Sequence, residues 1–287
     1  QEYSKKNKLT FTYNPNGSRN GFFDLKDNKS NFAVVDLFIN DKLLKTFPEH
    51  QQITHIPVTL SGIAIAANIP NVKTLKLSAQ IIAEILTQSI SHWDDAKIKK
   101  LNPNTPLPHL HIVPITRKGG SGSTYILTQY LSFMNPAWRK SYGVFADLSI
   151  PGALLAYNTD SMKELLSQIP GSFGYLGFGY IEKTDTFITA TVENMEGNYI
   201  SPSLESISLA ATMDIPQDTR VSCIYTDKPN AYPLSSFSWL ITFQNQKNIF
   251  KNKRDAKKFK TFLSWLLTDA QKNASKLNYA PLPENVK

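Results

Sequence analysis

Ile115-Thr-Arg-Lys-Gly-Gly-Ser-Gly-Ser-Thr-Tyr-Ile-Leu-Thr-Gln-Tyr-Leu131 runs from an apolar strand pattern through a Gly/Ser turn into a helix pattern, with one arginine at the junction. That is how a chain builds a seat for an anion. Ser121 and Ser123 are N-cap candidates, and Gly119, Gly120 and Gly122 let the backbone approach a ligand closely. The helix that follows offers unpaired N–H groups and the positive end of its dipole. Arg117 adds a planar cation that matches an oxyanion. Alone, such a turn more often begins a helix than binds anything. It is not a P-loop, because no Lys-Ser/Thr pair follows the glycines at the required spacing. Nor is it a nucleophile elbow, because Ser123 stands where the second glycine of G-x-S-x-G belongs.

Outward from this unit, strand patterns alternate with helix patterns. Strands are expected at Leu9 to Tyr13, Asn31 to Asp36, Ile56 to Ala67, His109 to Thr116, Ser172 to Phe178, Phe187 to Glu193, Arg220 to Tyr225 and Ser236 to Phe243. Helices are expected at Ser78 to Thr87, Asp94 to Leu101, Ser121 to Met134, Asp160 to Gln168, Leu204 to Ala211 and Asp255 to Lys276. This is α/β order, implying mainly parallel sheets with helices on both faces. The Pro-bearing joints Asn102 to Pro108 and Lys228 to Pro233 read as surface connections.

The chain has 287 residues, enough for a large core and, as a natural prior, two lobes. Hydrophobic residues make up 41% and charged residues 19%, as in a soluble globular protein. No apolar run approaches the roughly 20 residues that cross a bilayer, and Gln1 to Lys8 contains no hydrophobic signal core. The net charge is +8, with basic residues spread along the chain, which favours anionic partners without selecting one. The densest basic cluster, Lys251 to Lys260, leads into Phe259, Phe262, Leu263, Leu266 and Leu267 at helical spacing. It reads as the solvated face of an amphipathic helix rather than a nucleic-acid patch.

Other chemistry-bearing residues have simpler explanations. His109 and His111 share a strand face, but no third ligand is identifiable beside them, so strand-edge histidines are expected and no metal. Asp94 and Asp95 stand at a helix start, where capping and dipole compensation account for them. Cys223 is the single cysteine, in a strand-like run, so no intrachain disulfide forms and no reactive thiol is expected.

Six segments in order resemble the phosphate-binding proteins that serve the bacterial phosphate ABC importer: Leu60 to Pro70, Ile90 to Pro103, Arg117 to Leu131, Ile169 to Tyr180, Tyr199 to Ser206 and Leu277 to Val286. The resemblance implies an α/β, type II periplasmic binding protein, with two lobes joined by a hinge and a ligand cleft between them. Lobe I would comprise residues 1–67 and 234–287 and lobe II residues 68–233, with crossings near Ala66 to Pro70 and Tyr232 to Ser236. Closure would be hinge motion that buries the ligand.

Carried over position by position, the family's ligand arginine falls on Arg117 and its helix-opening Ser-Gly-Thr on Ser121, Gly122 and Ser123. Tyr13 to Gly21 resembles the turn whose serine contacts phosphate, which assigns that role to Ser18. Asn31 to Asp36 resembles the strand ending in the aspartate acceptor, which assigns Asp36. An aspartate beside an anion has a chemical reason. Phosphate near neutral pH keeps a proton to donate to a carboxylate, whereas sulfate has none and is repelled.

Three departures accompany the resemblance. The family's opening strand and Gly-rich Thr-Phe loop have no counterpart, the family's aspartate two residues after the arginine is Gly119, and Ala156-Tyr-Asn-Thr159 replaces a Gly-Lys-Gly-Asn segment. The implied function is that of an exported, monomeric, non-enzymatic binding protein, periplasmic or secreted. It would capture inorganic phosphate or a related oxyanion for a membrane ABC importer, without cofactor, metal or nucleic acid. The alternative is a divergent secreted or surface interaction protein that has lost transport. Phosphate-ester hydrolysis has no metal cluster or activated nucleophile in its favour.

Overall fold

The computed structural model describes residues 2–7, 12, 14, 16–48, 51–284 and 286. The strand expected at Leu9 to Tyr13 lies, Thr12 apart, outside the described residues. The strands are β1 (Ala33–Val35), β2 (Ile53–Ala67), β3 (Lys76–Leu77), β4 (Val113–Arg117), β5 (Leu154–Ala156), β6 (Ser172–Gly177), β7 (Ile188–Thr189), β8 (Thr191–Glu193), β9 (Tyr199–Ile200) and β10 (Ser235–Phe243). The helices are α1 (Glu2–Asn7), α2 (Ser18–Lys26), α3 (Asp41–Leu44), α4 (Ala79–Leu86), α5 (Ala96–Leu101), α6 (Gly122–Met134), α7 (Pro136–Ser141), α8 (Thr159–Gln168), α9 (Leu204–Leu209), α10 (Lys253–Leu267) and α11 (Gln271–Ala274).

The long strand β2 organises the molecule. Its stretch from Ile53 to Gly62 pairs with β10, and from Ile63 onward it pairs with β6. The main sheet runs β1-β10-β2-β6-β4-β5, with β7 also on β2, and β3-β8-β9 form a small second sheet. From Leu60 to Ala67 every residue of β2 is buried, as is the whole of β10, so both faces of this region are covered. Small residues in β2 make room for what covers it: a Cβ on Gly62 would meet Ile207 Cδ1 at 2.5 Å. The register shifts between Ser238 and Trp239, opposite Pro57. A bulge is where a strand tolerates a residue without an N–H.

The expectation of mainly parallel sheets is corrected. Strand β10 returns from the far end of the chain and runs antiparallel to both neighbours, and β2 is antiparallel to β6 and β7. Parallel pairing in the main sheet is confined to β4 with β5 and β6, where α6, α7 and α8 supply the crossovers. One face of this parallel part carries α8, whose Met162 and Leu166 join Ala66, Ile115, Ala156 and Leu176 in a compact apolar cluster.

Three further expectations change. Arg220 to Tyr225 is not a strand; it contains a single 3₁₀ turn, Cys223–Tyr225, packed against β10. Burial pushes the Cys223 thiol up to about 12, which keeps it protonated and unreactive. The expected strand at Phe187 to Glu193 divides around Ala190, because β7 joins β2 while β8 joins the small sheet. The helix expected through Lys276 stops at Leu267. The buried Gln271 side chain donates to the carbonyls of Leu266 and Val58 and accepts the Leu282 N–H, fixing the break.

Candidate functional site

The strand–turn–helix unit forms as the sequence implies. Strand β4 ends at Arg117, Gly119 takes a left-handed φ of 76°, and the Ser121 hydroxyl caps α6 by accepting the Thr124 N–H at 3.4 Å. Ser121, Gly122 and Ser123 are all buried. A second helix start faces this one. Helix α2 begins at Ser18 behind Gly17, whose φ is 85° and which offers no side chain as a cap. The first N–H groups of such a helix have no intrahelical acceptor. The two starts touch: a Cβ on Gly122 would lie 2.8 Å from Ser18 Oγ and 2.9 Å from Asp36 Cβ.

Asp36 follows β1 and is held from both sides. The Ser238 hydroxyl of β10 donates to its Oδ1 at 2.6 Å, and the Ser236 hydroxyl donates to its carbonyl at 3.1 Å. Its own N–H donates to Ser18 Oγ at 3.2 Å, so the Ser18 proton stays free to donate elsewhere. Oδ2 is the carboxylate oxygen turned toward Gly122. Burial raises the carboxyl above its ordinary value, opposed by the Ser238 hydrogen bond.

Arg117 belongs to the same unit as α6 but points its guanidinium elsewhere. Its backbone N–H donates to Tyr175 Oη at 3.3 Å, and that hydroxyl is 2.8 Å from Thr124 Oγ1 in the first turn of α6. Its Nη1 donates to Thr159 Oγ1, at the start of α8, at 3.1 Å, and its buried Nε has no acceptor. Burial pulls the guanidinium below its ordinary value, while nearby Tyr175, Tyr180 and Asp160 oppose that. Among the described residues no hydrogen bond or ion pair joins Arg117 to Ser18 or Asp36. Ser18, Asp36 and Gly122 are thus in mutual contact, Ser121 and Ser123 flank them on α6, and Arg117 is tied in through Tyr175.

Sequence reasoning missed Ser238, Thr159 and Tyr175. Only Thr159 carried a signal, since it ends the Ala156-Tyr-Asn-Thr159 departure noted above. The histidine pair gains a neighbour: the His92 ring stacks on His109 at 4.5 Å and meets His111 edge-on at 5.4 Å. Among the described residues no group of three His, Cys, Asp or Glu is placed to hold a metal ion. Asp95 caps α5, and Asp94 pairs with His109 and Lys99, its carboxyl lowered chiefly by the His109 hydrogen bond.

Paired helix starts, hydroxyl donors and one carboxylate acceptor match the chemistry of a protonated oxyanion. A curated relative, the phosphate-binding protein PstS of Xylella fastidiosa, is 27% identical over 280 residues, covering 96% of this chain and 74% of its own. Among solved structures, a high affinity periplasmic phosphate-binding protein (PfluDING) bound with phosphate superposes with a TM-score of 0.77 at 19% identity, covering 99% of this chain and 88% of that one. An ABC-type phosphate transport receptor from Vibrio cholerae gives 0.62 at 16% identity, covering 98% and 92%. These likenesses establish the two-lobed α/β architecture of type II periplasmic binding proteins. Residues 1–270 match the model of the PBP superfamily domain, and the chain belongs to that family.

Proposed function

We propose that this chain is a PstS-like solute-binding protein that captures inorganic phosphate in a cleft and delivers it, chemically unchanged, to a membrane ABC importer. The observation that carries the reading is the contact of Gly122, at the start of α6, with Ser18 and Asp36. Phosphate would take N–H donors from the α2 and α6 starts and hydroxyl donors from Ser18, Ser121 and Ser123, with charge from Arg117. It would give its proton to Asp36 Oδ2. Sulfate, lacking that proton, would meet a buried carboxylate with nothing to offer it. The names of the similar proteins support the same ligand and the same transport role.

In this reading lobe I comprises residues 1–67 and 234–287 and lobe II residues 68–233. The change of partner along β2 from β10 to β6 supports that division. The family carboxylate replaced by Gly119 has a substitute in Thr159, which holds the guanidinium, and in the nearby charge of Asp160. The protein would act as a monomer outside the cytoplasmic membrane. Equilibrium dialysis with labelled phosphate, in the presence of excess unlabelled phosphate or sulfate, tests the reading. It requires displacement by phosphate and none by an equal concentration of sulfate, and equal displacement by both defeats it.

A further inference from the structure

Basic residues occur along the whole chain, but their excess over acidic residues is greatest in one stretch. Residues 247–260 hold seven basic residues against one acid, Asp255, so this short stretch accounts for six of the eight net positive charges. The structure puts most of them on the first turns of α10, where Lys253, Arg254, Lys257 and Lys260 are exposed, with Lys251 just ahead of them. Apart from a 3.7 Å pair between Lys258 and Asp255, none of these cations forms an ion pair among the described residues. The arrangement works against the helix, because the positive end of a helix dipole disfavours cations by a few tenths of a kcal/mol each. Helix stability therefore does not explain it.

The face is fixed in orientation. On its other side α10 packs Phe259 on Phe32 at 5.5 Å and Phe250 at 5.3 Å, and Phe262 and Trp265 on Tyr3 at 5.2 and 5.0 Å. The basic stripe is thus presented outward on a rigid element, on the opposite side of the helix from the aromatic cluster.

We propose that this face docks on an anionic lipid surface. Six of the seven cations are lysines, compact point charges suited to many mobile headgroups, whereas protein and nucleic-acid recognition favour the arginine fork. The exposed large apolar side chains of the molecule include none from α10, so the face offers neither an aromatic anchor for a protein hot spot nor a stacking platform for bases. Clusters of four to eight Lys/Arg on an amphipathic helix bind anionic bilayers at about 1 kcal/mol per basic residue near the surface. Adsorption through α10 would hold the protein at the membrane without insertion.

The test is co-sedimentation of the full chain with vesicles of phosphatidylcholine alone and of an equal phosphatidylcholine and phosphatidylglycerol mixture, at low and at physiological salt. Binding is expected only to the anionic vesicles and to weaken with salt. Reversal of four charges, Lys253→Glu, Arg254→Glu, Lys257→Glu and Lys260→Glu, should lower partitioning by roughly a hundredfold or more. The same number of reversals at exposed Lys73, Lys100, Lys140 and Lys183 should leave most of it. Phosphate binding, measured by calorimetry, should be the same in all three proteins, which separates this claim from the ligand assignment. Equal binding to both vesicle types, or equal losses in the two reversed variants, overturns it. So does patch-dependent binding of a duplex oligonucleotide without vesicle binding, which would make the face a nucleic-acid surface.

Discussion

Gly122 stands against Asp36 so closely that a Cβ at residue 122 would lie 2.9 Å from the aspartate Cβ and 3.2 Å from its Oδ2. These residues come from separate elements, the start of α6 and the position just after β1, and their contact brings together two segments far apart in the chain. Only a residue without a side chain fits there, and it opens α6 beside Asp36, whose Oδ2 is the oxygen that Ser238 does not occupy.

Gly122→Ala therefore forces α6 away from Ser18 and Asp36. Overpacking of this kind costs roughly 1–3 kcal/mol, so phosphate affinity should fall about tenfold or more by titration calorimetry. Unchanged affinity would mean that the contact is not part of the ligand-bound state.

Asp36→Asn keeps the shape, and its side-chain carbonyl can still accept from Ser238, but the charged acceptor is gone. Losing a hydrogen bond to a charged group costs about 1.5–3 kcal/mol, so phosphate affinity should drop roughly 10- to 100-fold while discrimination against sulfate narrows. The ligand-free variant should also melt higher than the native chain at neutral pH. Because the folded carboxyl is raised, the native state holds its proton more readily and is penalised once Asp36 ionises. The gain should shrink as pH falls from the raised folded value toward the ordinary carboxylate range and vanish below that range. A lower melting temperature at neutral pH would contradict the assigned burial.

Thr159→Val removes the hydroxyl that receives Arg117 Nη1 and leaves a second guanidinium nitrogen without an acceptor beside the orphaned Nε. A buried unpaired donor costs about 1–3 kcal/mol. Both thermal stability and phosphate affinity should decline, and Thr159→Ser should restore both. If valine and serine behave alike, Thr159 does not hold the arginine.

His55 sets a pH dependence unconnected with the ligand. Its Nε2 accepts the Ile39 N–H at 3.0 Å, and burial, aided by Arg220, lowers its pKa to about 4. Below pH about 6.5 the unfolded chain binds a proton that the folded chain refuses. Stability should be unaffected by this group above that pH and fall between about 6.5 and 4, by roughly 3 kcal/mol in all. Chemical denaturation across this window should show the slope in the native chain and a flatter one in His55→Gln.

Much of this was legible in the sequence because periodicity and turn chemistry are local. Arg117 to Leu131 folds as its glycines and serines dictate, and the apolar run of β2 reads directly. The pairing of that strand does not: that β10 enters antiparallel depends on a return from the far end of the chain, which no local pattern encodes. Locally, helix α2 reads only as a turn, because Gly17, Asn20 and Gly21 mask the buried spacing of Ser18, Phe22 and Leu25. Arg220 to Tyr225 has strand-like residues, but packing against β10 fixes it as a turn. In the site, residue types could be named in advance, while Ser238 and Tyr175 could not. Their roles arise from β10 lying beside β1 and β6 beside β4, contacts made by the tertiary fold.

A crystal structure with phosphate tests the central claim most directly. The anion should lie with one oxygen within hydrogen-bond distance of Asp36 Oδ2 and others on the Ser18 hydroxyl and the Gly122 and Ser123 N–H groups. Phosphate bound at any other place, with Asp36 Oδ2 left to solvent or protein donors, would contradict it.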